Sequence, residues 1–179
     1  TTAQAIDRIT DDTPYASSAH TFASGNGSIM RVAPAIAANF NNPARAIGEA
    51  VALSLITHGN SDTITYISAF TDEVIRGTKN PVNKLLRHYD VYQTYNTGSI
   101  MHSYNVAHLA AHYGSGFEGA LMEAAKLGYD TDTNCAVTGM LVGSYMGYES
   151  IPKRFLKDLQ QHDMLLDMAN KMYDIGARG

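Results

Sequence analysis

Apolar residues recur every three or four positions along most of the chain, a period typical of amphipathic helices. The pattern is clearest from Pro43 to Ile56, where Asn42 suits the N-cap, Pro43 suits the first turn and Gly59 can end the helix. It predicts further helices over 61–76, 81–88, 98–112, 115–127, 132–148 and 152–173. No stretch alternates convincingly with a period of two. We therefore predict an all-α fold in which residues 1–179 form one compact multi-helix domain.

Glycines mark several of the predicted helix features. Gly77 is predicted to end the 61–76 helix, and Gly128 is predicted to end the 115–127 helix. Gly139, Gly143 and Gly147 are spaced by four within the predicted 132–148 helix. Because glycine has no side chain, this spacing predicts a helix face that a neighbouring helix can approach closely.

Composition limits the classes of function to consider. The 179 residues include 13 Lys and Arg against 17 Asp and Glu, and 45% are apolar. This apolar content can bury a core, which excludes a disordered chain. The net charge of -4 gives no basic footprint for duplex nucleic acid. The most apolar uncharged run, 134–148, is shorter than the roughly 20 residues that span a bilayer, so we expect no membrane partner.

Two features concern the compartment and the extent of the chain. The single cysteine, Cys135, cannot form a disulfide within the chain, so we expect a cytoplasmic protein. The chain begins at Thr1 without a methionine, and we expect it to lack an N-terminal part.

The most informative segment for chemistry is Asp130-Thr131-Asp132-Thr133, between a glycine-ended turn and a new helix. At such a junction Asp130, Asp132 and Thr133 can point at one spot. Their hard oxygen ligands suit Mg²⁺, Mn²⁺ or Ca²⁺ better than zinc or copper. The alternative is that Thr131 or Asp132 caps the helix, since acidic and hydroxyl residues favour helix N-termini.

A glycine-rich turn, Gly25-Asn26-Gly27-Ser28, precedes an apolar stretch. Backbone amides exposed by two glycines can hold phosphate oxygens, although the turn matches neither common nucleotide-binding motif and an ordinary turn is the alternative. His58 lies at a predicted helix end, where a histidine commonly caps carbonyls or is exposed.

Taken together and in this order, these segments resemble the ADP-ribosylglycohydrolase family, which includes the dinitrogenase reductase-activating glycohydrolases. The resemblance extends roughly from Gly25 to Phe155, and the Asp-Thr-Asp-Thr segment downstream of Gly-Asn-Gly-Ser-x-Met-Arg is its most specific part. It implies an all-α protein that uses two Mg²⁺ or Mn²⁺ ions to hydrolyse the bond between the distal ribose of ADP-ribose and an acceptor. The expected partner is therefore ADP-ribose, or an ADP-ribosylated protein or small molecule.

The resemblance also implies roles for residues that match the family motifs. Asp130, Asp132 and Thr133 are expected to be metal ligands. The loop of Gly25, Asn26, Gly27 and Ser28 is expected to bind ADP-ribose, with His58 close to the ligand. Residues 95–104 resemble a ligand-lining segment of the family, with Ser99 where tyrosine is usual.

The family takes its remaining metal ligands, and an acid/base carboxylate, from Gly-Asp and Thr-Asp-Asp-Thr segments well upstream of the glycine loop. Thr10-Asp11-Asp12-Thr13 has the same letters but lies too close to Gly25, so we interpret it as a turn before Pro14. We therefore expect catalysis to require an N-terminal half-site from another segment or chain. The alternative is a catalytically inactive ADP-ribose-binding or structural protein of the same fold.

A zinc site is a weaker alternative. His108 and His112 are four residues apart on a predicted helix and could share an ion. No glutamate lies beside either histidine, as a metalloprotease motif would require, and no third ligand is evident.

Overall fold

The computed structural model describes residues 2–12, 24–79 and 98–178. These residues form helices and no β-strand, so the predicted all-α fold class is confirmed for the described part. The helices are α1 (Thr2–Ile6), α2 (Ala33–Ala37), α3 (Pro43–Leu55), α4 (Ser61–Lys79), α5 (Ile100–Tyr113), α6 (Gly116–Leu127), α7 (Thr131–Met146), α8 (Lys153–Asp158) and α9 (His162–Arg178). Single 3₁₀ turns occur at Ile29–Arg31 and Tyr148–Ser150.

Local signals located most helix ends correctly. The Asn42 side chain accepts a 3.1 Å hydrogen bond from the backbone N–H of Arg45, which confirms the predicted cap of α3. Gly128 ends α6 with a φ of 73°, a left-handed value that glycine adopts without strain. The helix predicted over 81–88 lies outside the described residues.

Two predicted boundaries are wrong. Gly77 does not end α4, because it is a packing position: a Cβ there would lie 2.4 Å from Ser144 Oγ and 3.0 Å from the Tyr145 ring. The single helix predicted over 152–173 is instead α8 and α9. The chain leaves helical geometry between them, where Gln161 has a φ of 58°.

The core is built around α7, which packs against α4, α5, α6 and the 3₁₀ turn at Ile29–Arg31. Phe70 and Ile67 of α4 are completely buried together with Val137 and Leu141 of α7. A close approach on the glycine face is also found. A Cβ on Gly139 would lie 3.7 Å from Leu121 and one on Gly143 would lie 3.7 Å from Phe117, both side chains of α6. Gly147 is not part of this face, because it ends α7 with a φ of 77°.

The last helix packs on α2 through a small contact. The peptide oxygen of Gly176 accepts a 3.1 Å hydrogen bond from Asn41, and the rings of Phe40 and Tyr173 stack with centroids 5.1 Å apart. Much of the apolar surface of α9 is exposed, including Met164, Met168 and Ile175.

No helix among the described residues is both long enough and apolar enough to cross a membrane.

Candidate functional site

The glycine loop pairs with the segment that leads into α5. Gly25 and Ser99 form an antiparallel bridge, in which Ile100 N donates to Ser24 O at 2.7 Å and Asn26 N donates to Gly98 O at 3.0 Å. The backbone N–H of Asn26 is therefore already hydrogen-bonded and is not available to a phosphate. Ser99 then caps α5 by accepting from the backbone N–H of His102 at 3.2 Å. Loop and helix start are thus held as one unit.

The side chain of Asn26 connects this unit to the start of α7. Its amide group donates one hydrogen bond to Ser103 Oγ at 2.9 Å and another to Asp130 Oδ2 at 2.6 Å. Asn26 is only 7% exposed, so both bonds form largely out of water and are costly to lose. The structure therefore brings Asn26 and Asp130 into direct contact.

The predicted metal ligands cluster at the N-terminus of α7. Asp130 occupies the N-cap position but makes no side-chain capping hydrogen bond, and α7 begins at Thr131. Burial raises the pKa of Asp130, but hydrogen bonds with Asn26, Asp132 and Thr133 outweigh it and leave this pKa below its ordinary value. Asp132 is exposed beside it, whereas Thr133 is buried with its hydroxyl 3.6 Å from Met30 Sδ. Two carboxylates and one hydroxyl therefore lie at one place.

The glycines of the loop face His58. A Cβ on Gly25 would lie 3.2 Å from His58 Nε2, and one on Gly27 would lie 3.3 Å from His58 Cε1. These separations are tighter than side chains normally tolerate, so the imidazole fills the space that a side chain would need. The missing side chains of the two glycines leave room for His58, and the role of the loop in binding a phosphate stays a prediction.

The remaining backbone amides of the loop belong to Gly27 and Ser28. Among the described residues, no acceptor takes either N–H. Ser28 is completely buried, with its hydroxyl 3.5 Å from Gly25 O, whereas Gly27 is partly exposed. Gly27 is therefore the residue of the loop whose amide can reach an anion.

His58 is held from behind by a second hydrogen-bond chain. Arg31 Nη2 donates to Leu53 O at 3.2 Å and to Thr57 Oγ1 at 2.5 Å, and Thr57 Oγ1 lies 2.7 Å from His58 Nδ1. His58 is 2% exposed. Burial, followed by the positive charge of Arg31, lowers the pKa of His58 from 6.5 to about 4. The imidazole is therefore neutral at pH 7.

Sequence reasoning missed two residues of this cluster, Ser103 and His102 on the first turn of α5. Ser103 accepts from Asn26, and His102 contacts the Tyr129 ring edge-on with centroids 5.8 Å apart. Burial lowers the pKa of His102 below its ordinary value, although the nearby charge of Asp130 acts in the opposite direction. Both residues are buried at successive positions of α5, and the sequence around them carries no motif that marks them as partners of the loop.

Other acidic and nucleophilic candidates lie apart from this cluster. Asp11 and Asp12 are exposed, and the rest of the predicted turn from Thr13 to Pro14 lies outside the described residues. Within residues 2–12, 24–79 and 98–178, no group of three or more His, Cys, Asp or Glu could hold a metal ion. Burial, followed by the charge of Asp132, raises the pKa of the Cys135 thiol, which disfavours the nucleophilic thiolate.

The two histidines of the zinc alternative are not brought together with a third ligand. His108 is 3% exposed, with Nε2 2.9 Å from Glu73 Oε2, and Glu73 Oε1 accepts a 2.8 Å hydrogen bond from the Tyr104 hydroxyl. His112 is exposed and packs edge-on against Tyr113. His108 therefore belongs to a polar network between α4 and α5.

The described residues thus define an all-helical protein in which a glycine loop is joined to the carboxylate-bearing start of a helix. Comparison with known proteins identifies its family. The family model for ADP-ribosylglycohydrolase matches residues 1–178, and the chain belongs to this family.

Two relatives extend the comparison. ADP-ribosylarginine hydrolase Tri1 of Serratia proteamaculans (strain 568) is 24% identical over 169 residues, which cover 83% of this chain and 46% of the relative. The chain thus spans about half the length of this curated relative. The solved structure of an ADP-ribosylglycohydrolase-related protein complex has a TM-score of 0.85 at 24% identity, over 98% of this chain and 68% of that chain. The second match shows a shared fold.

Proposed function

We propose that this chain carries the ADP-ribose loop and part of the metal site of a hydrolase that releases ADP-ribose from a modified acceptor. The site would hold two Mg²⁺ or Mn²⁺ ions once a complementing N-terminal segment or chain supplies further ligands. The observation that carries the proposal is the hydrogen bond from Asn26 to Asp130. It joins the loop that would bind the diphosphate to the carboxylates that would lie at the distal ribose.

The donor set suits the proposed ions. Asp130, Asp132 and Thr133 offer only hard oxygens, as Mg²⁺ and Mn²⁺ prefer. The hydrogen bond from Asn26 occupies Oδ2 of Asp130 and orients the carboxylate, with Asp132 two residues along the chain. Two adjacent carboxylates create a negative site that a cation would neutralise. Asp130, Asp132 and Thr133 together fill only part of an octahedral coordination shell, so this chain alone would bind the ions weakly.

The chain's own residues would mainly bind and orient the substrate. The backbone N–H of Gly27, with the imidazole of His58, would hold the diphosphate and thereby place the distal ribose at Asp130 and Asp132. Bound metal ions would polarise the ribose hydroxyls and lower the pKa of a water molecule. In the overall reaction, the bond from the anomeric carbon to the acceptor breaks, water supplies the hydroxyl of the released ribose, and its remaining proton goes to the acceptor.

The choice of acceptor to test follows from the name of one relative. The relative from Serratia proteamaculans is named for ADP-ribosylarginine. ADP-ribosylarginine is therefore the first acceptor to test, followed by ADP-ribosylserine.

The test measures ADP-ribose release from an ADP-ribosylated peptide by the protein together with its complementing half-site, in saturating Mg²⁺ or Mn²⁺. Asp130→Ala and Asp132→Ala should each lower the rate by at least about a hundredfold, as expected for loss of an anionic metal ligand. Asp12→Ala, in the exposed upstream segment, is the matched control and should keep the wild-type rate. Full release by both α7 variants would contradict the metal-site assignment.

The second candidate function is ADP-ribose binding without hydrolysis. It is favoured by the convergence of only two carboxylates, Asp130 and Asp132, within the described residues. Calorimetric ADP-ribose binding by a complemented protein that shows no release from any acceptor would support this candidate over the hydrolase.

A further inference from the structure

We propose that Arg31 and Thr57 are positioning residues that fix His58 in the tautomer carrying its proton on Nε2, so that the ring presents a hydrogen-bond donor at the glycine loop. The inference rests on the proposed function, because the donor matters only if an anionic ligand such as the diphosphate of ADP-ribose occupies the loop.

The direction of the hydrogen bonds follows from the first member of the chain. An arginine side chain has only donors, so Thr57 Oγ1 must accept from Arg31 Nη2. Thr57 is 3% exposed, and within the described part of the chain its hydroxyl has one other side-chain neighbour, His58 Nδ1 at 2.7 Å. If Nδ1 carried the proton, the hydroxyl would accept twice and its own proton would be buried without an acceptor. The hydroxyl therefore donates to Nδ1.

The second step concerns the opposite side of the ring. With Nδ1 accepting and the imidazole neutral, the single ring proton is on Nε2. This atom lies beneath the loop, 3.2 Å from the position of a Cβ on Gly25 and 3.5 Å from that of a Cβ on Gly27. A protonated Nε2 adds a donor beside the free amide of Gly27, whereas the other tautomer would present a lone pair to an anion.

The charge of Arg31 acts in the same direction. Arg31 is partly buried, its Nε has no hydrogen-bond partner, and no carboxylate of the described residues pairs with it. Within the described residues its positive charge is therefore uncompensated behind Thr57 and His58. A cation with the donors of His58 and Gly27 ahead of it favours an anionic ligand at the loop.

The first arm of the test needs no variant. Long-range nitrogen–proton NMR of the ¹⁵N-histidine-labelled chain at pH 7 distinguishes the two tautomers of His58, whose nitrogen shifts differ. We expect Nε2 to be protonated and Nδ1 to be unprotonated. Protonation on Nδ1 would overturn the inference.

The second arm compares Thr57→Val, which removes the hydroxyl at nearly constant shape, with Thr57→Ser, which keeps it. Calorimetric titration with ADP-ribose should show about a tenfold loss of affinity in Thr57→Val and recovery to within about twofold of wild type in Thr57→Ser. The tautomer signal should change in Thr57→Val alone. A folded Thr57→Val chain with wild-type affinity and tautomer would refute the positioning role.

The two proposals fail differently. If wild-type chain shows the Nε2-protonated signal but binds no ADP-ribose, the proposed function is wrong and the role of Thr57 in ligand binding falls with it. If the wild type binds ADP-ribose with His58 protonated on Nδ1, only the positioning inference is wrong.

Discussion

The side-chain amide of Asn26 lies 2.6 Å from the carboxylate of Asp130, although 104 positions separate the two residues along the chain. This bond uses one oxygen of a proposed metal ligand and fixes the orientation of that ligand from the loop proposed to hold the diphosphate. The two parts of the proposed site are therefore in direct contact. A substitution that moves the loop should also change the orientation of the Asp130 carboxylate.

Gly27→Val should weaken ADP-ribose binding through a clash beneath the loop. The valine Cβ would lie 3.3 Å from His58 Cε1, and its methyl groups would have to displace the ring or the loop backbone. We expect at least about a tenfold loss of affinity by calorimetry. Asp12→Ala, at an exposed position, serves as the control. Wild-type affinity in Gly27→Val, or a loss confined to Asp12→Ala, would show that the ligand binds elsewhere.

His58 should make the protein less stable in mild acid. Its pKa is about 4 in the folded protein against 6.5 for the free side chain, so between these values the unfolded chain binds more protons. The stability due to neutral His58 is complete above pH 6.5 and is lost as the pH falls towards 4, by at most about 3 kcal/mol. Urea unfolding at pH 7.5, 6 and 5 should reveal this slope.

The control for this pH dependence is His58→Asn, which does not titrate in that range. Burial also lowers the pKa of His102, which contributes a slope of the same sign in both proteins. The difference between the wild-type and His58→Asn slopes therefore isolates His58. Parallel stability curves for the two proteins would show that His58 is already protonatable in the folded state.

Two glycine substitutions should change stability in opposite directions. A Cβ on Gly48, within α3, meets nothing within 4 Å, so Gly48→Ala should stabilise the protein by about 1 kcal/mol through helix propensity. A Cβ on Gly114 would lie 2.3 Å from the Ala120 backbone, which cannot rotate away, so Gly114→Ala should cost about 1–3 kcal/mol or more. Thermal unfolding measures both, and shifts of the same sign would contradict the packing at Gly114.

The network between α4 and α5 should contribute to stability independently of the site. Tyr104→Phe removes the 2.8 Å hydrogen bond to Glu73 from a tyrosine that is 2% exposed, and should cost about 1 kcal/mol. Glu73→Ala should cost more, because it also removes the carboxylate that faces His108. A double-mutant cycle of Tyr104→Phe and Glu73→Ala by urea unfolding should give a coupling of about 0.5–1.5 kcal/mol. Additive effects would show that the hydroxyl and carboxylate do not interact.

The fold was largely predictable because helix periodicity and caps are local properties of a sequence. The Asn42 cap of α3 and the Gly128 end of α6 depend on residues within a few positions. Gly77 was misinterpreted because its role depends on Tyr145, a residue of another helix. The break at Gln161 is not marked by a glycine or a proline. Because glutamine rarely adopts a positive φ, its sequence gives no reason to expect a break there.

The candidate site was predictable as a set of residues but not as a set of contacts. Motif letters led to the loop and to Asp130, Asp132 and Thr133, whose roles as metal ligands stay predictions. The partners Ser103 and His102 could not be found, because which face of α5 meets the loop is decided by tertiary packing. The position of His58 beneath Gly25 and Gly27 is likewise decided by tertiary packing.

The long separation between Asn26 and Asp130 has a consequence for synthesis of the chain. At roughly 5–20 residues per second, a ribosome makes the loop on the order of 5–20 s before it reaches its partner in α7. During that interval Asp130 has not yet been synthesised, so the Asn26 side chain cannot form this hydrogen bond. The loop can reach its final conformation only after such long-range contacts form. Completion of the proposed ligand site is therefore a late event, so a nascent chain stalled before α7 should not be retained on immobilised ADP-ribose.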